Sequence, residues 1–210
     1  LTLTMALGLA LTGEPGATPR PPPISAADWS VWRRHLKEGN RRPAEVVDFA
    51  AERVELDLLP RQVTVSGSYT LRNRGAASAS LTIAYPILVS AENPPPERIL
   101  LDGRPLPVRR LDRRRALASF PISVPPRGLA RFRIRYVQRH SGRRAAYRVT
   151  SARRWPAPID RAVFVVRHPR RMGRVRLSLG PARTRREGQT VVHTVVRHGF
   201  WPDRELEARW

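Results

Sequence analysis

From Arg53 to the C-terminus, large apolar side chains recur at every second residue with charged or small polar ones between them. Successive side chains of a strand point to opposite faces, so this repeat marks strands with one buried and one solvated side. Val54, Leu56 and Leu58 alternate with Arg53, Glu55 and Asp57, and Phe132, Ile134 and Tyr136 alternate with Arg131, Arg133 and Arg135. Val175, Leu177 and Leu179 alternate with Arg174, Arg176 and Ser178. Val63, Val65 and Tyr69 to Leu71 read as a second strand in which Gly67 marks a bulge. Leu81, Ile83 and Tyr85 form the next inward set, and the Val163–Val166 and Val191–Val196 runs are rich in β-branched residues. Asn73–Gly75, Asp102-Gly103 and Pro125–Gly128 supply the turns, Asp-Gly being a strong two-residue hairpin signal. About ten short strands with no helical crossover between them predict an all-β chain, an antiparallel β-sandwich over residues 50–210 preceded by one short helix.

Upstream the composition changes. Residues 1–12 are an apolar run too short to span a bilayer, similar to the core of a secretory signal peptide, with small Gly8 and Ala10 at a cleavage-like spacing. A Pro-rich extended linker follows, so residues 1–23 read as signal remnant and linker. Residues 24–49 read as an amphipathic helix, roughly 26–38, with its connector. Ser25 and Asp28 fit a capping box, Gly39 fits a stop, and Trp29, Trp32 and Leu36 share a face. That face docks on the sandwich or dips into a membrane interface. The expected location is extracytoplasmic, secreted or periplasmic.

Charge is distributed unevenly. Residues 1–102 hold 11 basic and 11 acidic residues, whereas residues 103–202 hold 26 arginines against Asp112, Asp160 and Glu187. Only Lys37 among the 39 basic residues is lysine, a skew that GC-rich coding produces. Coding bias replaces lysine with arginine but does not remove acids. A surplus concentrated in one half attracts polyanions and anionic surfaces. The plain alternative is a solvated polar face written in arginine, and arginines scattered evenly over all faces would exclude anion binding.

Catalytic machinery is scarce. Cysteine is absent, which removes disulfides, thiolate metal sites and a thiol nucleophile. The five histidines (His35, His140, His168, His193, His198) show no metal-ligand spacing, and His193 and His198 fall on opposite faces of their strand, as surface or edge residues. No nucleophile elbow or phosphate-cradling glycine loop occurs. Glu55 and Asp57 share a face with Arg53 and read as cross-strand ion-pair partners rather than glycosidase carboxylates. No metal or cofactor is expected. The rival reading is a hydrolase whose site is assembled from scattered residues.

Arginine binds phosphate and carboxylate through a bidentate fork, so arginines clustered in loops form anion sites. The candidates are Arg109, Arg110, Arg113, Arg114 and Arg115, then Arg143, Arg144, Arg153 and Arg154, with a further group at Arg183, Arg185 and Arg186. The expected partner is an acidic cell-envelope polymer or an anionic membrane surface. Nucleic acid is the lesser alternative, since stacking needs exposed aromatics and Phe132 and Tyr136 lie on the apolar side of their strand. Trp155, flanked by Arg153, Arg154, Pro156 and Pro158, either plugs one end of the sandwich or stands exposed as an aromatic anchor.

The stretch ERVELDLLPRQVTVSGSYTLRNRG (52–75), with LTIAYPI (81–87), ILLDGRPLPV (99–108) and FPISVPPRGLARFRIRYVQR (120–139), resembles a set of uncharacterised bacterial secreted β-sandwich proteins. Their opening in turn resembles the N-terminal β domain of aminopeptidase N-type metallopeptidases. The segments AYRVTSARRWPAPIDRAVFVV (146–166) and FWPDRELEARW (200–210) look like later elements of the same set. The peptidase zinc helix has no counterpart here, so the resemblance implies a β-sandwich outside the cytoplasm and transfers no catalytic residue.

Overall fold

The structure, a computed structural model, describes residues 9–10, 46–110 and 115–210. The helix expected over 26–38, the linker, most of the apolar N-terminal run, and Arg113 and Arg114 lie outside the described residues. In chain order the first strands are β1 (Leu9–Ala10), β2 (Val47–Leu59), β3 (Gln62–Asn73), β4 (Ala79–Leu88), β5 (Ile99–Leu101), β6 (Arg104–Leu106), β7 (Arg109–Arg110) and β8 (Arg115–Val124). There follow β9 (Leu129–Arg139), β10 (Arg144–Tyr147), β11 (Ile159–Pro169), β12 (Arg176–Leu177), β13 (Arg183–Glu187), β14 (Thr190–Phe200) and β15 (Leu206–Arg209). Two 3₁₀ turns, Thr150–Arg154 and Arg170–Met172, precede and follow β11.

One sheet runs β13-β14-β11-β2-β3-β9-β5-β6, a second β1-β4-β8-β7, and a third β10-β15-β12. Every pairing is antiparallel except β2 with β11, so the large sheet is mixed. The sequence alternation shows which side of each strand is buried but not the direction of its neighbour. The four-stranded sheet closes over the large one through Tyr85 on Tyr69 and Tyr136, and Phe120 on Phe132, in edge contacts.

The turns hold as their residues require. Asp102 and Gly103 take φ 47° and 84°, the left-handed pair of a two-residue hairpin. Asp102 then pins that hairpin to β9, its carboxylate accepting from Arg133 N at 2.9 Å. Buried Asn73 donates to the carbonyls of Ala77 and Val124 and accepts from Gly75 N.

Gly67 is not a bulge. It pairs in register with Val54 and Ile134, and the register slip of β2–β3 lies between Phe49 and Ala51. The glycine is needed because the Tyr69 ring lies back along its own strand, and a Cβ at Gly67 would sit 2.0 Å from Tyr69 Oη. That placement carries the phenol to Tyr147 Oη at 2.7 Å and Tyr85 Oη at 3.0 Å, with Tyr85 and Tyr147 3.3 Å apart. Each hydroxyl can donate once and accept once around this triangle, so three buried polar groups satisfy one another. Burial raises the pKa of all three phenols, keeping them protonated. The slip at Ala50 also turns Glu52 into the core directly opposite Tyr69, where its Oε1 has no partner. Burial pushes this carboxyl up to about 8.

A side chain at position 67 must displace a buried, hydrogen-bonded ring. Gly67→Ala is therefore expected to lower the unfolding free energy by about 1–3 kcal/mol, the usual cost of overpacking. Urea denaturation checks this, and an unchanged midpoint would contradict it. Glu52 holds its proton in the folded state from pH 4.5 to about 8, while the unfolded chain has released it. Its contribution to stability thus falls as pH rises through that window, by up to about 1.4 kcal/mol per pH unit. Glu52→Gln is expected to remove this slope and to gain on the parent protein as pH increases. Parallel stability profiles for the two proteins between pH 5 and 8 would contradict it.

Candidate anion-binding face

The two faces of the sandwich differ in charge. On the outward positions of β4 and β8 the register brings together Ser80 with Ser123, Thr82 with Pro121, Ala84 with Ser119, and Pro86 with Leu117, four uncharged pairs, before Leu88 with Arg115, while Arg109 of β7 stands opposite Leu117. The outward positions of the large sheet carry Arg131, Arg133, Arg135 and Arg139 on β9, Arg53, Glu55 and Asp57 on β2, and Arg161 and Arg167 on β11. On the large sheet the arginines are most regular along β9, and others stand at the ends and margins of the sheets.

On that face β2 and β11 neutralise each other. Glu55 accepts from Arg53 at 2.7 Å and Arg167 at 2.6 Å, and Asp57 lies 3.4 Å from Arg167. Partial burial opposes the Glu55 charge, but the two guanidiniums outweigh it and hold the carboxyl below its usual range. Next to β2, β3 presents hydroxyls and an amide to the β9 arginines, since Thr70, Ser68, Ser66 and Gln62 stand opposite Arg131, Arg133, Arg135 and Arg139. Two strand spacings, about 10 Å, thus separate the carboxylates of β2 from the arginines of β9. Among the described residues Arg131, Arg133 and Arg135 form no ion pair, and Arg139 has only an exposed contact at 3.6 Å with Glu97. The result is a row of arginines at every second residue from Arg131 to Arg135, their Cα atoms about 7 Å apart.

The file leads into a cleft of about 550 Å³. Pro94, Pro95 and Pro96 wall one side, with Arg98, Arg135 and Arg139 at its margin. Gln138, buried beneath, braces this proline wall by donating to the carbonyls of Leu88 and Pro94. The alternation of β9 was visible in the sequence, but the cleft was not, because it depends on where the loop after β4 folds back.

Among the described residues, the arginines selected from clustering fall at several places on the fold. Arg109, Arg110 and Arg115 fall in β7 and β8 at the margin of the four-stranded sheet. Arg143 and Arg144 stand at one end of β10, and Arg153 and Arg154 beyond the other. Arg144 is engaged by Glu207, which also takes Arg209 at 2.7 Å. Burial works against the charge of Glu207, but Arg209 and Arg144 hold its pKa below the usual carboxylate value. Trp155 offers no anchor: it is 3% exposed and packs 5.2 Å from the Phe49 ring. Glu205 fixes the turn that buries it, accepting from the backbone N–H groups of Val149 and Thr150 and the Thr150 hydroxyl. Trp201, 42% exposed, is the indole that reaches solvent on this part of the chain.

The histidines form a contact that spacing does not reveal. His193 faces buried His168 across β11–β14, with their Nε2 atoms 3.1 Å apart. His168 Nδ1 faces the Pro169 carbonyl at 3.0 Å and His193 Nδ1 the Thr184 hydroxyl at 2.9 Å. Burial, then the neighbouring His168, lowers the pKa of His193. One neutral arrangement satisfies the chain: Thr184 donates to His193, His193 to His168, and His168 to the carbonyl. All four ring nitrogens are then engaged with one another or with protein oxygens. Among the described residues no group of three or more His, Asp or Glu is placed to hold a metal.

No protein-family model matches the chain, and no match is found among characterised proteins. Among solved structures it is similar to a Legionella pneumophila protein to which nutrient binding has been provisionally ascribed, at 10% identity and TM-score 0.57, covering 77% of this chain and 66% of that one. The M1 zinc metallopeptidase of Deinococcus radiodurans matches at 14% identity and TM-score 0.40, over 78% of this chain and 42% of its own. Legionella pneumophila aminopeptidase A matches at 10% identity and TM-score 0.39, over 78% and 21%. The structural relatives thus include the peptidase group that the sequence resembles, each spanned only in part by this chain. At such identities the likeness establishes an all-β fold and no shared chemistry.

Proposed function

We propose that this chain is a non-catalytic, extracytoplasmic binding module whose basic sheet face holds an extended acidic polymer of the cell envelope. The observation that carries the reading is the file of Arg131, Arg133 and Arg135, unpaired among the described residues and set apart from the β2 carboxylates by a strip of hydroxyls. A linear array at strand spacing suits a linear polyanion, because each guanidinium meets a successive charge while the serine and threonine hydroxyls accept or donate along the chain. The uncharged outward pairs from Ser80–Ser123 to Pro86–Leu117 support a directed rather than diffuse use of the charge.

Other readings find less support. A membrane surface would be met better by apolar side chains beside the arginines, and only Leu129 and Val137 stand exposed on β9. Nucleic-acid stacking lacks Phe132 and Tyr136, which are buried. A dispersed hydrolase would need a free base, and the His168–His193 chain commits its ring nitrogens. The nutrient binding ascribed to the Legionella relative is in keeping with a binding role.

Titration of fluorescent poly-L-glutamate tests the proposal. Arg131→Gln/Arg133→Gln/Arg135→Gln is expected to bind at least about 10-fold more weakly, with a shallower dependence on salt, because fewer counterions are released. Equal affinity and equal salt dependence would contradict it. Stronger capture by anionic vesicles than by poly-L-glutamate would assign the face to a membrane instead.

A further inference from the structure

We propose that the chain carries a second, discrete anion site, an arginine-lined cleft at the β13–β14 edge that takes a small molecule bearing two or more phosphate groups. The cleft measures about 770 Å³, within the size range of small-molecule sites. Arg170 enters it from the 3₁₀ turn after β11, Arg174 and Arg176 from the segment leading into β12, and Arg186 from β13. No aspartate or glutamate lines it. The only acid of β13, Glu187, pairs with Arg185 on the other side of that strand, leaving Thr184 and Arg186 toward the cleft. Elsewhere on the molecule Arg53, Arg72, Arg144, Arg167 and Arg209 each meet a carboxylate. None of the four cleft arginines does so among the described residues.

Four guanidiniums from three chain segments around one concavity define what can fill it. A single carboxylate satisfies one fork, and a lone phosphate leaves most of the volume to water. A ligand with two or more phosphate groups can meet guanidiniums on opposite walls at once. The His168–His193–Thr184 chain forms one wall, and its nitrogens are engaged internally, so it braces β11, β14 and β13 in place and leaves the binding charge to the arginines. This site is separate from the β9 file and does not depend on it.

Calorimetric titration with pyrophosphate and with inorganic phosphate tests the site on the intact chain. The parent protein should bind pyrophosphate saturably and at least about 10-fold more tightly than phosphate. Arg174→Gln/Arg176→Gln should weaken pyrophosphate at least about 10-fold while keeping the parent's circular dichroism and poly-L-glutamate affinity. The β9 triple variant should bind pyrophosphate as the parent does. No saturable binding, full affinity in R174Q/R176Q, or loss in the β9 variant alone would each overturn the assignment. Equal affinity for phosphate and pyrophosphate would also overturn it, since it would show that only one fork is used. Because the two variants are read with two probes, a failed cleft and a failed polymer face give different results.

Discussion

Three phenol hydroxyls tie this molecule together. Tyr69 stands on β3 of the large sheet, Tyr85 on β4 of the second sheet and Tyr147 on β10 of the third, so one triangle of hydrogen bonds joins all three sheets. The triangle closes without water because each hydroxyl both donates and accepts. It forms only because Gly67 lets the Tyr69 ring lie along its strand. Half-satisfied buried polar groups are costly, so this arrangement favours one alignment of the sheets over neighbouring ones.

With the sheets aligned, the outward positions become two surfaces of different character. The outward positions of β4 and β8 carry mostly hydroxyls, prolines and leucine, while β9 of the large sheet carries an arginine at every second residue from Arg131 to Arg135. The outward acids of β2, Glu55 and Asp57, are taken by Arg53 and Arg167. The hydroxyl strip of β3 then separates the β9 arginines from the β2 carboxylates. Strand order, more than the total of 39 basic residues, makes the surface a candidate for binding.

Much of this architecture was legible because alternation is a local signal. The inward sets Val54, Leu56, Leu58 and Phe132, Ile134, Tyr136 are all buried, and the Asp102-Gly103 hairpin takes the backbone that its residues demand. Strand direction was not legible, since nothing in β2 or β11 records that they run parallel. The role of Gly67 was misread because glycine in a strand signals either a bulge or a close approach, and only the position of Tyr69 decides. For the candidate site, adjacency in sequence is an incomplete guide, because neighbours along a strand point to opposite faces. The relevant arginines sit at i, i+2 and i+4 on β9, or come from separate segments, as around the His168–His193 wall. Trp155 was open to two readings from its proline-rich surroundings, and the Glu205-held turn places it inside.

The proposed binding role rests on the arginines that β9 presents on the outward side of the large sheet. Hydrogen–deuterium exchange with and without poly-L-glutamate examines this most directly. The expected result is slowed exchange in β9, the β5–β6 hairpin and the Pro94–Arg98 loop, with β4 and β8 unchanged. Protection confined to β4 and β8, or spread equally over both faces, would contradict the account.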